Sequence, residues 1–286
     1  MTDLTLQWVR SVLPQRKVDG HKGDFGRVLA VCGAVGYTGA PVFASRAAVR
    51  SGAGLVFLAV PESIWPIVAV KSDEAMPFPL PEAEGKLSSA ALPALEEKAA
   101  HCDAVLLGCG LGRSEGVDTV VRALTEQITA PLVLDADGIN ALAGHTDILK
   151  ARRGRATILT PHEGEFLRIG GDLTQGREQA AADFARQHGC VLVLKGHRTI
   201  VVGPEGTLYR NTTGNCGMAK GGSGDVLSGM ILALLGQGMP PVEAAAAAVW
   251  LHGLTGDLCR EEYGAFAMTP GDMVAHLGRA FRTVEE

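Results

Sequence analysis

The chain has 286 residues, 47% of them hydrophobic and 20% charged, with a formal net charge of −5. It is long enough to bury a large core, and neither its mild acidity nor any basic run offers the positive surface that a nucleic-acid partner requires. Six scattered cysteines without CxxC spacing argue against a disulfide framework or a zinc site, and no uncharged apolar stretch reaches the roughly 20 residues of a membrane span, so a cytoplasmic chain with reduced thiols is expected.

Short runs rich in Val, Ile and Leu recur along the chain, each followed by turn residues: Arg27 to Cys32, Leu55 to Val60, Ala104 to Leu107, Pro131 to Leu134, Ala156 to Leu159 and Cys190 to Leu194. Their apolar residues are consecutive, not alternating, as in parallel strands covered on both faces. Helices are predicted over Ala40 to Arg50, Ser88 to Ala100, Val117 to Ile128 and Gln175 to His188. The alternation implies an α/β fold, a doubly wound, mostly parallel sheet with helices on both faces, and no linker divides it, so residues 1–286 are expected to form a single domain. Glu82 to Ser89 is the least apolar internal segment and reads as a surface loop. Thr199 to Val202 and Thr207 to Arg210 flank Gly203-Pro204-Glu205-Gly206 and predict an antiparallel hairpin added late to the sheet. The last third is mainly helical. Gly222 to Leu235 carries Val226, Met230 and Leu234 on one face, and Pro240 to Cys259 holds an alanine-rich stretch suited to tight packing, including packing between subunits.

Asn215 to Leu227 concentrates the chemistry. Gly221, Gly222 and Gly224 let the backbone approach an anion, and the helix that follows points free N–H groups and its positive dipole end at the same place. Asp225 falls in the first helical turn, where it can take a proton from a hydroxyl attacking a bound phosphoryl group. Its other role would be to complement the helix dipole, with the glycines making only a turn. The loop is no Walker P-loop, because GxxxxGK[ST] is absent around Lys220. Gly108-Cys109-Gly110-Leu111-Gly112 is no dinucleotide fingerprint either, since Arg113 stands where the third glycine belongs.

Gly221-Gly222-Ser223-Gly224-Asp225 at a helix start resembles the anion-hole motif of the ribokinase-like superfamily. His21 to Gly26, Gly33 through Tyr37-Thr38-Gly39-Ala40, Gly108 to Gly112, Asp135 to Leu142 and Thr160-Pro161-His162-Glu163-Gly164-Glu165 resemble, in order, the ADP-dependent NAD(P)H-hydrate dehydratases. The resemblance runs from His21 onward. With about twenty residues before the first motif, the epimerase domain to which family members are sometimes fused is not expected in this chain.

The resemblance implies a lyase for nicotinamide repair, built as a kinase. ADP phosphorylates the C6 hydroxyl of NADHX or NADPHX, the ring nitrogen expels phosphate, and AMP is the by-product. Asp225 is then the catalytic base, Gly221 to Gly224 including Ser223 form the anion hole, and Lys195, Gly196, His197, Arg198, Thr199 and Gly224 bind the nucleotide. Ala40, Gly112, His162 and Asp225 hold the hydrated substrate. Read without the resemblance, Ala40 is helix packing, Gly112 a turn glycine, His162 an N-terminal helix residue, and Lys195 and Arg198 are equally solvated charges or phosphate ligands. Glu165 is expected to orient water around Mg2+, and Asp135 and Asp137 are alternative acids near the phosphates, with Asp137 also suited to helix capping. A homo-oligomer is expected, a tetramer included among its forms. Two other readings stay open: a vitamin or sugar kinase of the same superfamily, and a nucleotide-binding regulator without turnover.

Overall fold

The computed structural model describes all 286 residues. Twelve strands are present: β1 (Thr2–Asp3), β2 (Arg27–Val31), β3 (Leu55–Pro61), β4 (Met76–Leu80), β5 (Glu82–Ala83), β6 (Lys86–Leu87), β7 (Ala104–Leu107), β8 (Leu132–Leu134), β9 (Thr157–Leu159), β10 (Val191–Leu194), β11 (Ile200–Val202) and β12 (Leu208–Arg210). Ten of them form one sheet in the order β1-β12-β11-β10-β9-β8-β7-β2-β3-β4. Neighbours from β10 through β4 pair in parallel, whereas β11 is antiparallel to both β10 and β12. The expected hairpin is therefore β11–β12, and its second strand returns to the direction of the parallel set, where β1 adds alongside.

The strands are apolar at consecutive positions because each face meets its own core. Val28, Ala30, Leu58 and Leu106 face the helices Gly39–Arg50, Ser223–Gly236, Pro241–Ala267 and Pro270–Glu285. Leu29, Val31, Ala59 and Leu107 face the helices Leu92–Ala99, Glu115–Gln127 and Arg177–His188. This is the two-sided burial that a parallel sheet requires. Ala244 to Ala248 are fully buried in the first core, so the alanine-rich stretch serves packing within the chain instead of an interface between subunits. Gly229 lets the Ser223–Gly236 helix lie close against Gly39–Arg50, since a Cβ there would fall 2.1 Å from the Ala44 carbonyl oxygen.

One local reading is corrected, and one strand was not foreseen. Glu82 to Ser89 is no plain loop but contains the β5–β6 hairpin, anchored by the buried Leu87. The edge strand β4 has prolines at positions 77 and 79, which suit an edge because a proline cannot donate to a second neighbour.

From β2 the chain winds through β3 to β4, and from β7 through β8 and β9 to β10, so the strand order reverses between β2 and β7. Open α/β sheets bind ligands outside the carboxyl ends of their strands at such a point.

Candidate active site

The candidate residues leave the sheet from the carboxyl ends of five parallel strands. Ala40 follows β2, Gly112 follows β7, Asp135 and Asp137 follow β8, His162 and Glu165 follow β9, and Lys195 to Thr199 follow β10. The Ser223–Gly236 helix points its first turn at the same edge. Gly222 precedes it at φ +104°, a left-handed conformation, and a Cβ there would meet the Phe43 ring at 2.9 Å. The Ser223 amide donates to the Lys220 carbonyl at 3.2 Å, whereas the amides of Gly222, Gly224 and Asp225 have no acceptor in the protein. Three free donors therefore gather at the positive end of the helix, the arrangement that binds an anion. Gly221 is exposed, with open space where a Cβ would stand, and the Lys220 ammonium is turned away to the carbonyls of Phe266 and Met268, 2.6 Å from each.

Next to these amides lie two aspartates. Asp135 is buried. It accepts hydrogen bonds from Lys195 Nζ at 2.8 Å, Thr160 Oγ1 at 2.8 Å and Ser228 Oγ at 2.8 Å. Burial opposes its charge, but Lys195 and the two hydroxyls outweigh that and hold its pKa below the ordinary range. Asp225, a partly buried residue, has no N–H or hydroxyl donor on its carboxylate. Burial and the negative charge of Asp135 raise its pKa from 3.8 to about 7, against the smaller opposing effects of the Cys109 thiol and Lys195. One ligand atom each from Cys109, Asp135 and Asp225 falls within 4.8 Å of the others. The Cys109 thiol is held well above its ordinary pKa by its hydrogen bond with the free Cys32 thiol and by burial, so it stays protonated.

On one side of Asp225 opens a cavity of about 630 Å³. Its wall contains His162, all five residues from Lys195 to Thr199, and Gly224. Lys195 is held above its ordinary pKa because Asp135, 2.8 Å away, and Glu165, 3.8 Å away, outweigh its burial. The strained turn after it, with Arg198 at φ +56°, is fastened by Arg177, whose guanidinium donates to the carbonyls of Leu194, Lys195 and His197. His252 lines the same cavity with Nε2 2.9 Å from the Ser223 carbonyl oxygen. Burial lowers its pKa to about 4, so the neutral ring donates through Nε2 and steadies the helix start.

The other side of Asp225 is the crevice between the ends of β2 and β7. Ala40 and the Gly108 to Gly112 turn meet there, where a Cβ on Gly110 would lie 2.9 Å from that of Ala40. Asp137 does not cap its own helix with its carboxylate, as expected, but accepts the Gly112 amide at 2.8 Å and so fixes this turn. Ala40 and Gly112 thus share the crevice, while His162 sits across the site on the cavity wall. There it forms a capping box with Glu165: the Glu165 amide donates to His162 Nδ1 at 3.2 Å, and the His162 amide to Glu165 Oε2 at 2.9 Å. Arg177 and His252 went unnoticed in the sequence. His252 did leave a signal, as a lone imidazole in the apolar run Ala244 to Leu254.

The sheet, with the start of the Ser223–Gly236 helix at its carboxyl edge, defines a ribokinase-like α/β protein. The model of the NAD(P)H-hydrate dehydratase family matches residues 28–279, and the chain belongs to that family. It is 45% identical over 288 residues to a bifunctional NAD(P)H-hydrate repair enzyme of Moorella thermoacetica, covering 99% of this chain and 54% of that protein. The chain thus spans about half the length of the bifunctional relatives it matches. An ADP-dependent (S)-NAD(P)H-hydrate dehydratase of Bacillus subtilis is 34% identical, with 98% of each chain covered. The crystal structure of an ADP/ATP-dependent NAD(P)H-hydrate dehydratase from Bacillus subtilis, co-crystallised with ATP/Mg2+, matches with a TM-score of 0.82 at 30% identity, over 99% of this chain and 98% of that one.

Proposed function

We propose that the chain is an ADP-dependent dehydratase that returns NADHX and NADPHX to NADH and NADPH, releasing AMP and phosphate. The observation that carries this is Asp225: a carboxylate without an N–H or hydroxyl donor, its pKa raised to about 7, set beside three free amides between the cavity edge and the Gly108 to Gly112 turn. A base poised near the working pH is efficient in proton transfer, and free amides at a helix end suit a transferring phosphoryl group. ADP takes the cavity of about 630 Å³, with Lys195 to Thr199 along it and its terminal phosphate on the amides of Gly222, Gly224 and Asp225. The hydrated dinucleotide takes the crevice at Ala40 and Gly112, which brings its C6 hydroxyl to Asp225.

Asp225 accepts the hydroxyl proton as the oxygen bonds to the β-phosphorus and the bond to AMP breaks. The ring nitrogen's electron pair then expels the phosphate to leave an iminium at C6, and loss of a C5 proton to the released phosphate or to water restores the dihydropyridine. Lys195, kept charged by Asp135 and Glu165, balances charge on the phosphate. His252, Arg177 and Asp137 hold the helix start, the Lys195 turn and the Gly112 turn in place.

Glu165 is 5% exposed and already accepts the His162 amide, so it fits contact with Mg2+ through a water and not direct ligation. Mg2+ arriving with the nucleotide would be held by the phosphates and by that water, and would offset phosphate charge. The matching of a relative crystallised with ATP/Mg2+ supports this.

The test is direct. Freshly prepared hydrate, ADP and Mg2+ should regain reduced-nicotinamide absorbance, with one AMP released per dinucleotide restored. Consumption of nucleotide without recovered absorbance would point to a kinase acting on another acceptor, and no change in either would leave only binding.

A further inference from the structure

Above the crevice stands the β5–β6 hairpin. Ala83 pairs with Lys86, and the two residues between them, Glu84 at φ +52° and Gly85 at φ +75°, form the tight turn whose twist suits a hairpin. The hairpin is fixed on three sides. Leu87 is buried in the core, Glu82 accepts the Ser63 amide at 3.0 Å and its hydroxyl at 2.6 Å, and the Gly85 carbonyl accepts the Val35 amide at 2.9 Å. The Val35 side chain fills the space beside Gly85, where a Cβ would lie 2.5 Å from it.

This anchorage lays Lys86 across the Gly112 turn. Its Cγ, Cδ and Cε stand 3.1–3.6 Å from the place of a Gly112 Cβ, while its ammonium has no carboxylate or other acceptor within the protein. Two acids of this region are engaged elsewhere, Glu82 with Ser63 and Asp137 with the Gly112 amide, and no carboxylate, Glu84 of the hairpin turn included, pairs with Lys86. On the same rim Val35 and Tyr37 are 58% and 56% exposed, although they belong to the loop that walls the crevice. A fixed, unpaired cation beside uncovered apolar and aromatic surface suits a ligand that is anionic at one point and planar at another.

We infer that Lys86 is a binding residue for the dinucleotide substrate and that its ammonium pairs with a phosphate of that dinucleotide. The inference rests on the proposed occupancy of the crevice, and it adds the hairpin to the substrate site. The shared chemistry is a phosphate oxygen, from the bridging pyrophosphate or from the 2′-phosphate that only NADPHX and NADPH carry.

Lys86→Met tests it, because the apolar stem that covers Gly112 is kept and only the charge is lost. Loss of one charge-assisted phosphate contact should raise the KM for hydrate and the Kd for NADPH about tenfold, with unchanged melting temperature and less than twofold change in the KM for ADP. Lys86→Arg should restore most of the affinity. Equal losses for NADHX and NADPHX would assign the contact to the pyrophosphate, and a loss confined to NADPHX and NADPH to the 2′-phosphate. Values within twofold of wild type for both hydrates and for NADPH would overturn the inference, as would an equal loss of ADP affinity. Because NADPH binding is read without turnover, a wild-type protein that fails to convert hydrate yet binds NADPH through Lys86 would contradict the proposed reaction and not this site.

Discussion

The end of β8 and the first turn of the Ser223–Gly236 helix each bring one aspartate to the same small volume, under opposite conditions. Asp135 is surrounded by an ammonium and two hydroxyls and is ionised throughout the physiological range. Asp225 lies close to it without such partners, and burial together with the charge of Asp135 raises it to about 7. The pair shows how one polar centre divides its work. A satisfied carboxylate holds Lys195 charged, while an unsatisfied one is left able to exchange a proton at neutral pH.

Removing the satisfied member should have the larger effect on the fold. Asp135→Asn leaves Lys195 buried with only Glu165 at 3.8 Å, and breaking such a pair costs about 3 kcal/mol, measurable by denaturant unfolding. In the fraction that folds, the acid limb of the pH–rate profile should move below the wild-type position, because a negative neighbour of Asp225 is gone. A limb that stays near 7 would mean that Asp135 does not tune Asp225.

Removing the unsatisfied member should have a smaller effect on stability, and of opposite sign. The folded pKa of Asp225 lies above the ordinary 3.8, so the native state holds a proton that the unfolded chain releases between about 4 and 7. The stability from this group is fully present below the unfolded value and is lost as pH rises through about 7. Asp225→Asn keeps a neutral group at every pH, so its melting point should exceed that of wild type at pH 8 by a few degrees and match it near pH 4. Equal melting points at pH 8 would place Asp225 in a less costly environment than its surroundings imply.

Much of this centre was legible along the chain, but not the division of labour within it. The glycines and Asp225 stand side by side in sequence, and the parallel strands declare themselves by consecutive apolar residues, because each element there acts locally. The partners of Asp135 come from positions 160, 195 and 228, and no local pattern links them. Asp137 was expected to serve the nearest helix, yet its carboxylate reaches back to Gly112, a partner set by the pairing of β7 with β8. His162 and Glu165 carry a dual signal. Their spacing of three matches the family motif and is also that of a capping box, which they form. The hairpin at Glu82 to Leu87 was obscured by its polarity, since its two short strands hold position through Leu87 and through contacts with Ser63 and Val35.

The central claim is that Asp225 takes the proton from the substrate's hydroxyl, and single-turnover loss of hydrate across pH 5.5–8.5, in wild type and Asp225→Asn, tests it most directly. Wild-type rates should rise about tenfold per pH unit below an apparent pKa near 7 and level off above it, as the carboxylate ionises. The variant should run at least about 100-fold slower at pH 8 and show no limb, with ADP affinity, measured on the same folded preparation, equal to or above that of wild type. A variant within about threefold of the wild-type rate, or one that keeps the wild-type limb, would contradict the account and leave Asp225 as a complement to the helix dipole.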